Sequence, residues 1–133
     1  MFYYKVKLNE PVPPEEMERI LVEAAREMGY RTKVYDRTMA HYEIAPVERV
    51  EEYAGTRVKL SRFIFPVLEV EFDKRDLVDS LYVEYTGIGF GGRGTVERYI
   101  SAVSKKLESA SRDAKPRLLL LYKVFRPESK EEG

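Results

Sequence analysis

Residues 81–107 read LYVEYTGIGFGGRGTVERYISAVSKKL. The first six alternate in character, with Leu81, Val83 and Tyr85 on one side and Tyr82 and Glu84 on the other. That is the period of a half-buried strand. From Thr95 the period changes. Val96, Tyr99, Ile100, Val103 and Leu107 recur at helical spacing and predict one apolar stripe, and Thr95 is a favoured residue type for its N-cap. Between strand and helix lie Gly87, Gly89, Gly91, Gly92 and Gly94, five glycines in eight residues. Beyond Pro116, the run Leu118-Leu119-Leu120-Leu121 has no polar side and suits a central strand covered on both faces. Residues 81–125 therefore read strand–helix–strand, and such a crossover returns its second strand parallel to the first.

The N-terminal residues 2–36 repeat that order. Phe2, Tyr4, Val6 and Leu8 alternate with Tyr3, Lys5 and Lys7, and Pro11, Pro13 and Pro14 are expected to stop the strand. Proline is harmless in a first helical turn, and Glu15, Glu16 and Glu18 suit the positive end of a helix. Met17, Ile20, Leu21, Ala24 and Met28 form its stripe, and Gly29 is placed to end it. Strands are expected near 31–36 and 40–45, joined as a hairpin by Asp36-Arg37-Thr38-Met39. A short helix is expected from Pro46 through Ala54, closed by Gly55. Residues 57–65 and 67–73 look extended, with Phe65-Pro66 either a tight turn or a kink in one long edge strand. Residues 74–80 read as a polar turn.

Together these elements predict an α+β fold. The expectation is a two-layer sandwich with ferredoxin-like βαβ units at both ends, extra antiparallel strands between them, and two main helices packed on the sheet. Residues 1–125 would form one domain, with 126–133 a charged, frayed tail. A chain of 133 residues is long enough to bury roughly two-thirds of its unfolded surface.

Composition narrows the function classes. The 23 basic and 23 acidic residues cancel, which argues against a surface that is basic throughout and attracts nucleic acid or anionic membrane everywhere. A local basic patch is compatible with that balance. The absence of cysteine excludes disulfides and thiolate chemistry. Glutamine is absent and Asn9 is the only asparagine, while 35% of residues are charged, a heat-adapted pattern. No run approaches the ~18 apolar residues of a membrane span, and the N-terminus lacks a signal-peptide layout. A cytoplasmic protein without membrane association is the expectation.

Gly87-x-Gly89-x-x-Gly92 has the spelling of a phosphate-binding fingerprint in its strand-to-helix context. Glycines let backbone N–H groups approach an anion, a helix N-terminus adds positive potential, Arg93 offers a bidentate clamp and Thr95 a hydroxyl. The candidate ligand-binding residues are thus Gly87, Gly89, Gly91, Gly92, Arg93, Gly94 and Thr95. A dinucleotide site is disfavoured, because no alternating βα units follow and Glu108 and Asp113 meet the expected acid only loosely. A simple turn is the competing account. Tyr3, Lys5 and Lys7, and likewise Arg31, Lys33 and Tyr35, interleave basic and aromatic residues as a nucleic-acid face would; the zero net charge favours solvated strands with snorkelling side chains instead.

No catalytic centre or metal site is specified. His41 is the only histidine, sharing a strand face with Glu43 and with Asp36 across the expected hairpin. That set falls short of a zinc site. Glu69, Glu71 and Asp73 are expected to be solvated and to pair with Arg57, Lys59 or Arg62. Ser101, Ser104, Ser109 and Ser111 have no base to activate them. The expectation is a cofactor-free binding module for a phosphate-bearing ligand, a nucleotide or RNA backbone, at residues 87–95. The alternative is an interaction domain acting as a homo-oligomer through an exposed edge strand.

Overall fold

The alternating N-terminal segment forms β1 (Phe2–Val12), followed by α1 (Pro14–Glu27) and β2 (Arg31–Met39). Next come β3 (Tyr42–Glu43), β4 (Tyr53–Arg62), β5 (Phe65–Asp73), β6 (Val78–Tyr85), α2 (Gly92–Ser109) and β7 (Arg117–Phe125). The computed structural model describes residues 2–39, 42–43, 53–89, 91–110 and 117–125. Residues 46–52 of the expected short helix, His41 and the tail 126–133 lie outside these residues.

The seven strands form one sheet in the order β2-β4-β5-β6-β1-β7-β3. Every neighbouring pair is antiparallel. Both β6 and β7 flank β1, so they run parallel to each other with β1 between them. Four antiparallel steps separate β1 from β2, so these two also run in the same direction. Each strand–helix–strand unit therefore returns a parallel strand that is not a neighbour of the first.

Cross-strand partners share a face, which sorts the sheet into two surfaces. Val6 faces Leu81, Val70 faces both Val58 and Val83, and Leu60 faces Leu68. These side chains form one buried cluster with Met17, Ile20, Leu21 and Ala24 of α1 and Val96, Tyr99, Ile100, Val103 and Leu107 of α2. Both helical stripes thus match the sequence reading. The buried Tyr99 hydroxyl donates to the Leu21 carbonyl at 2.8 Å, tying the helices together. Burial pushes its phenol pKa far up, so it stays a neutral donor.

Four expectations need correction. Pro11 does not stop the first strand, which continues to Val12 across an irregularity between Lys7 and Val12; irregularities of this kind accommodate proline in a strand. Residues 36–39 do not turn. They stay extended and pair with β4 as far as Met39↔Tyr53, while β3 pairs with β7 at the opposite edge. A nine-residue register without interruption outweighs a weak local turn signal. Ala54 and Gly55, expected to end a helix, lie in β4. Phe65-Pro66 is not the turn, which falls at Phe63-Ile64, and β4 and β5 are not one long edge strand; Pro66 lies inside β5 opposite Ser61, beside an irregularity of the register between Leu60 and Ser61.

Candidate functional site

The glycine-rich turn begins where β6 stops pairing. The Thr86 N–H donates to the Val67 carbonyl at 3.0 Å, one step beyond Tyr85↔Leu68. The chain then wraps around the Tyr85 ring. A Cβ added at Gly87 would lie 2.7 Å from that ring, and one at Gly92 would lie 2.5 Å from it. The Tyr85 hydroxyl donates to the Ile88 carbonyl at 3.3 Å. Gly89 and Gly91 have φ of +98° and +97°, a region that side chains other than glycine enter at a cost. Four of the five glycines therefore have a conformational reason to be there. Gly94 has neither, since a Cβ would meet only an Arg98 guanidinium nitrogen at 3.4 Å.

Thr95 is not the N-cap. Gly91 is, and Thr95 lies one turn inside α2, its N–H and hydroxyl both donating to the Gly91 carbonyl at 3.1 and 3.2 Å. The left-handed Gly91 lets the chain become helical earlier than the cap preference suggests. The N–H groups of Gly92, Arg93 and Gly94 precede the intrahelical ladder. The first turn of α2 has no acidic residue and no side-chain cap. By contrast, α1 begins with Pro14, which has no N–H, followed by Glu15 and Glu16. The positive pole of α1 is offset by its own residues; that of α2 is open. Arg93 pairs with Glu97 one turn along, at 2.9 Å, in an exposed position. Arg98 donates back to the Thr95 hydroxyl at 3.3 Å, so its guanidinium also lies at the helix start.

The β4–β5 hairpin tip lies at the same end of the sheet, because Val67 follows it directly. Phe63 there has φ of +56°, an outlier for a bulky residue. Phe63, Ile64, Phe65 and Ile88 are 72%, 86%, 59% and 91% exposed. Sequence reading missed this tip. Its signal was the break in alternation at Phe63-Ile64-Phe65, three apolar residues in a row beside a proline. Arg62 stacks over the Tyr30 ring at 5.3 Å, and Arg31 lies opposite Ser61.

The face of the sheet away from the apolar cluster carries a second concentration of polar groups. Register places Arg57 opposite Glu71 and Glu69 opposite Glu84. The Arg57 guanidinium reaches across β5, meets Glu71, and donates to Glu69 at 2.5 Å and Glu84 at 2.7 Å. Arg57 is 2% and Glu71 0% exposed. The expected pairing with Arg57 holds for Glu69 and Glu71, whose expected solvation does not, while Asp73 stays partly exposed and pairs with Arg75. The Tyr35 hydroxyl adds a bond to Glu69 at 3.3 Å. Lys59 lies over the Tyr35 ring and Lys5 over the Tyr82 ring, at 5.5 and 5.8 Å. The interleaved basic and aromatic residues thus share their face with buried carboxylates.

The expected grouping of Asp36 with Glu43 does not form, because β2 and β3 are opposite edges. Asp36 instead accepts from Thr56 at 2.8 Å and pairs with Lys74. Those contacts, Lys74 first, hold its carboxyl below the usual range. Among the described residues, no group of three or more His, Asp or Glu is placed to hold a metal ion. No helix among them is long and apolar enough to cross a membrane. Comparison with protein families, curated proteins and solved structures finds no match to this chain.

Proposed function

We propose that this protein is a binding module that takes a phosphate-bearing ligand, a nucleotide or RNA backbone, at the turn of residues 87–95. The observation that carries the reading is the start of α2. Three backbone N–H groups stand ahead of the helical ladder, with no acid and no side-chain cap to offset them. Such a terminus favours an anion, and Arg93 and Arg98 add mobile charge within one or two turns. Gly94 leaves room for close approach. Thermal unfolding in phosphate, against chloride at matched ionic strength, tests it. A ligand at about 100 times its Kd adds about 2.7 kcal/mol of stability. The reading fails if phosphate, nucleotides and short RNA all leave the wild type unmoved and Arg93→Ala behaves identically.

A second reading, a homo-oligomeric interaction domain, is favoured by β2. It is a nine-residue edge strand without proline, the kind of edge that pairs with another chain. Sedimentation velocity at micromolar concentration decides it, and a strict monomer removes its support. In fold terms, the order β7-β1-β6 with α1 after β1 and α2 after β6 supports the ferredoxin-like two-layer reading, with β4 and β5 as the insertion. Heat adaptation and a cytoplasmic setting rest on composition, and a melting temperature above about 90 °C would bear out the first.

A further inference from the structure

Four of the six exposed large apolar side chains among the described residues sit at one end of the sheet: Phe63, Ile64 and Phe65 on the β4–β5 tip, and Ile88 in the turn after β6. The bond from Thr86 to Val67 sets that turn at the same end as the tip. We propose that this end docks on the surface of an anionic phospholipid bilayer. The tip and Ile88 enter the interface while a basic collar meets the headgroup phosphates. The inference stands on the tip and its collar. It goes beyond the phosphate reading and fails separately from it, and it departs from the composition-based expectation of no membrane association.

The collar is made of Arg62 and Arg31 beside the tip and of Lys59 and Lys33, paired across β4 and β2 two residues further in. Glu69, which register sets opposite Lys59, is bonded to Arg57, as is Glu84. The opposite end of the sheet carries Glu10, Asp73, Asp76 and Asp79 together with Lys74 and Arg75, which pair with Asp36 and Asp73. An apolar tip inside a basic collar is the pairing that holds a protein on a bilayer without spanning it.

Charge argues against a second copy as the occupant. A symmetric contact through this end would set the two basic collars against each other.

Co-sedimentation of the full chain with vesicles tests the proposal. The vesicles are phosphatidylcholine alone, or phosphatidylcholine with roughly one-third phosphatidylglycerol. The wild type is expected to sediment with the anionic vesicles only, less so as salt rises. The triple substitution Phe63→Ser, Ile64→Ser, Phe65→Ser should weaken this by roughly tenfold or more with an unchanged melting temperature. Ile88→Ser should weaken it less and serves if the triple variant misfolds. No sedimentation with anionic vesicles, or equal sedimentation of wild type, triple variant and Ile88→Ser, overturns the proposal. So does a dimer in sedimentation velocity that the triple variant dissolves and vesicles do not displace. Titration of the same proteins with inorganic phosphate keeps the two readings apart. A phosphate response without vesicle binding overturns the docking and leaves the α2 site standing. Vesicle binding without a response to phosphate, nucleotides or short RNA does the reverse.

Discussion

The Arg57 cluster and the start of α2 both gather polar groups, and they are finished differently. Around Arg57, three carboxylates close on one guanidinium inside the protein. At α2, three backbone donors point past the end of the helix, and the nearest side chains are exposed. A closed set of partners fixes strand register and asks nothing of the solvent. An open set is satisfied only by water or a ligand. The difference marks the first as architecture and the second as the place to look for binding.

The comparison can be broken most forcefully at Arg57. Arg57→Met leaves buried carboxylates without their counter-charge and should cost about 3–5 kcal/mol, read from the urea midpoint. A cost near zero would mean the cluster is wet and the contrast false. Next is Gly92→Ala, whose Cβ would lie 2.5 Å from the Tyr85 ring; crowding of this kind costs typically 1–3 kcal/mol. Gly94→Ala should instead be neutral to slightly stabilising. Equal effects at the two positions would contradict the division of labour among the glycines.

Gly94→Asp sharpens the comparison by making the start of α2 resemble that of α1. An acid in the first turn should stabilise the helix by about 0.3–1 kcal/mol while abolishing any stabilisation by phosphate. Opposite movement of the two readouts separates an open anion site from a passive turn. The smallest effect is at the Asp36–Lys74 pair. Lys74, and then Thr56, hold the Asp36 carboxyl below its usual value. Its contribution is therefore full above the usual aspartate range near pH 4 and fades as pH falls through the lowered value. The stability gap between wild type and Asp36→Asn should close on acidification. The pair is exposed, so the gap should be well under about 1 kcal/mol even at neutral pH.

The helices were legible because period alone defines an amphipathic stripe, and Val96 to Leu107 needs no knowledge of its partners. The alternation Leu68-Glu69-Val70-Glu71 likewise told which residues share a face. It did not tell what else lies on that face. Glu71 is buried because register sets Arg57 across from it, and register is a property of two distant segments. The same limit explains the hairpin expected at residues 36–39. The local signal was weak, and β4, beginning at Tyr53, supplied a longer partner. At the candidate site, the glycine density was visible, but its division between ring packing and backbone geometry was not, since that depends on where the Tyr85 ring lies.

The most direct test of the open α2 start is an amide NMR titration of the wild type with inorganic phosphate. The account predicts saturable shifts concentrated at the N–H groups of Gly91, Gly92, Arg93 and Gly94, and their loss in Gly94→Asp. Shifts absent from these amides, or confined to the Lys5 and Lys7 region of the sheet, would contradict it.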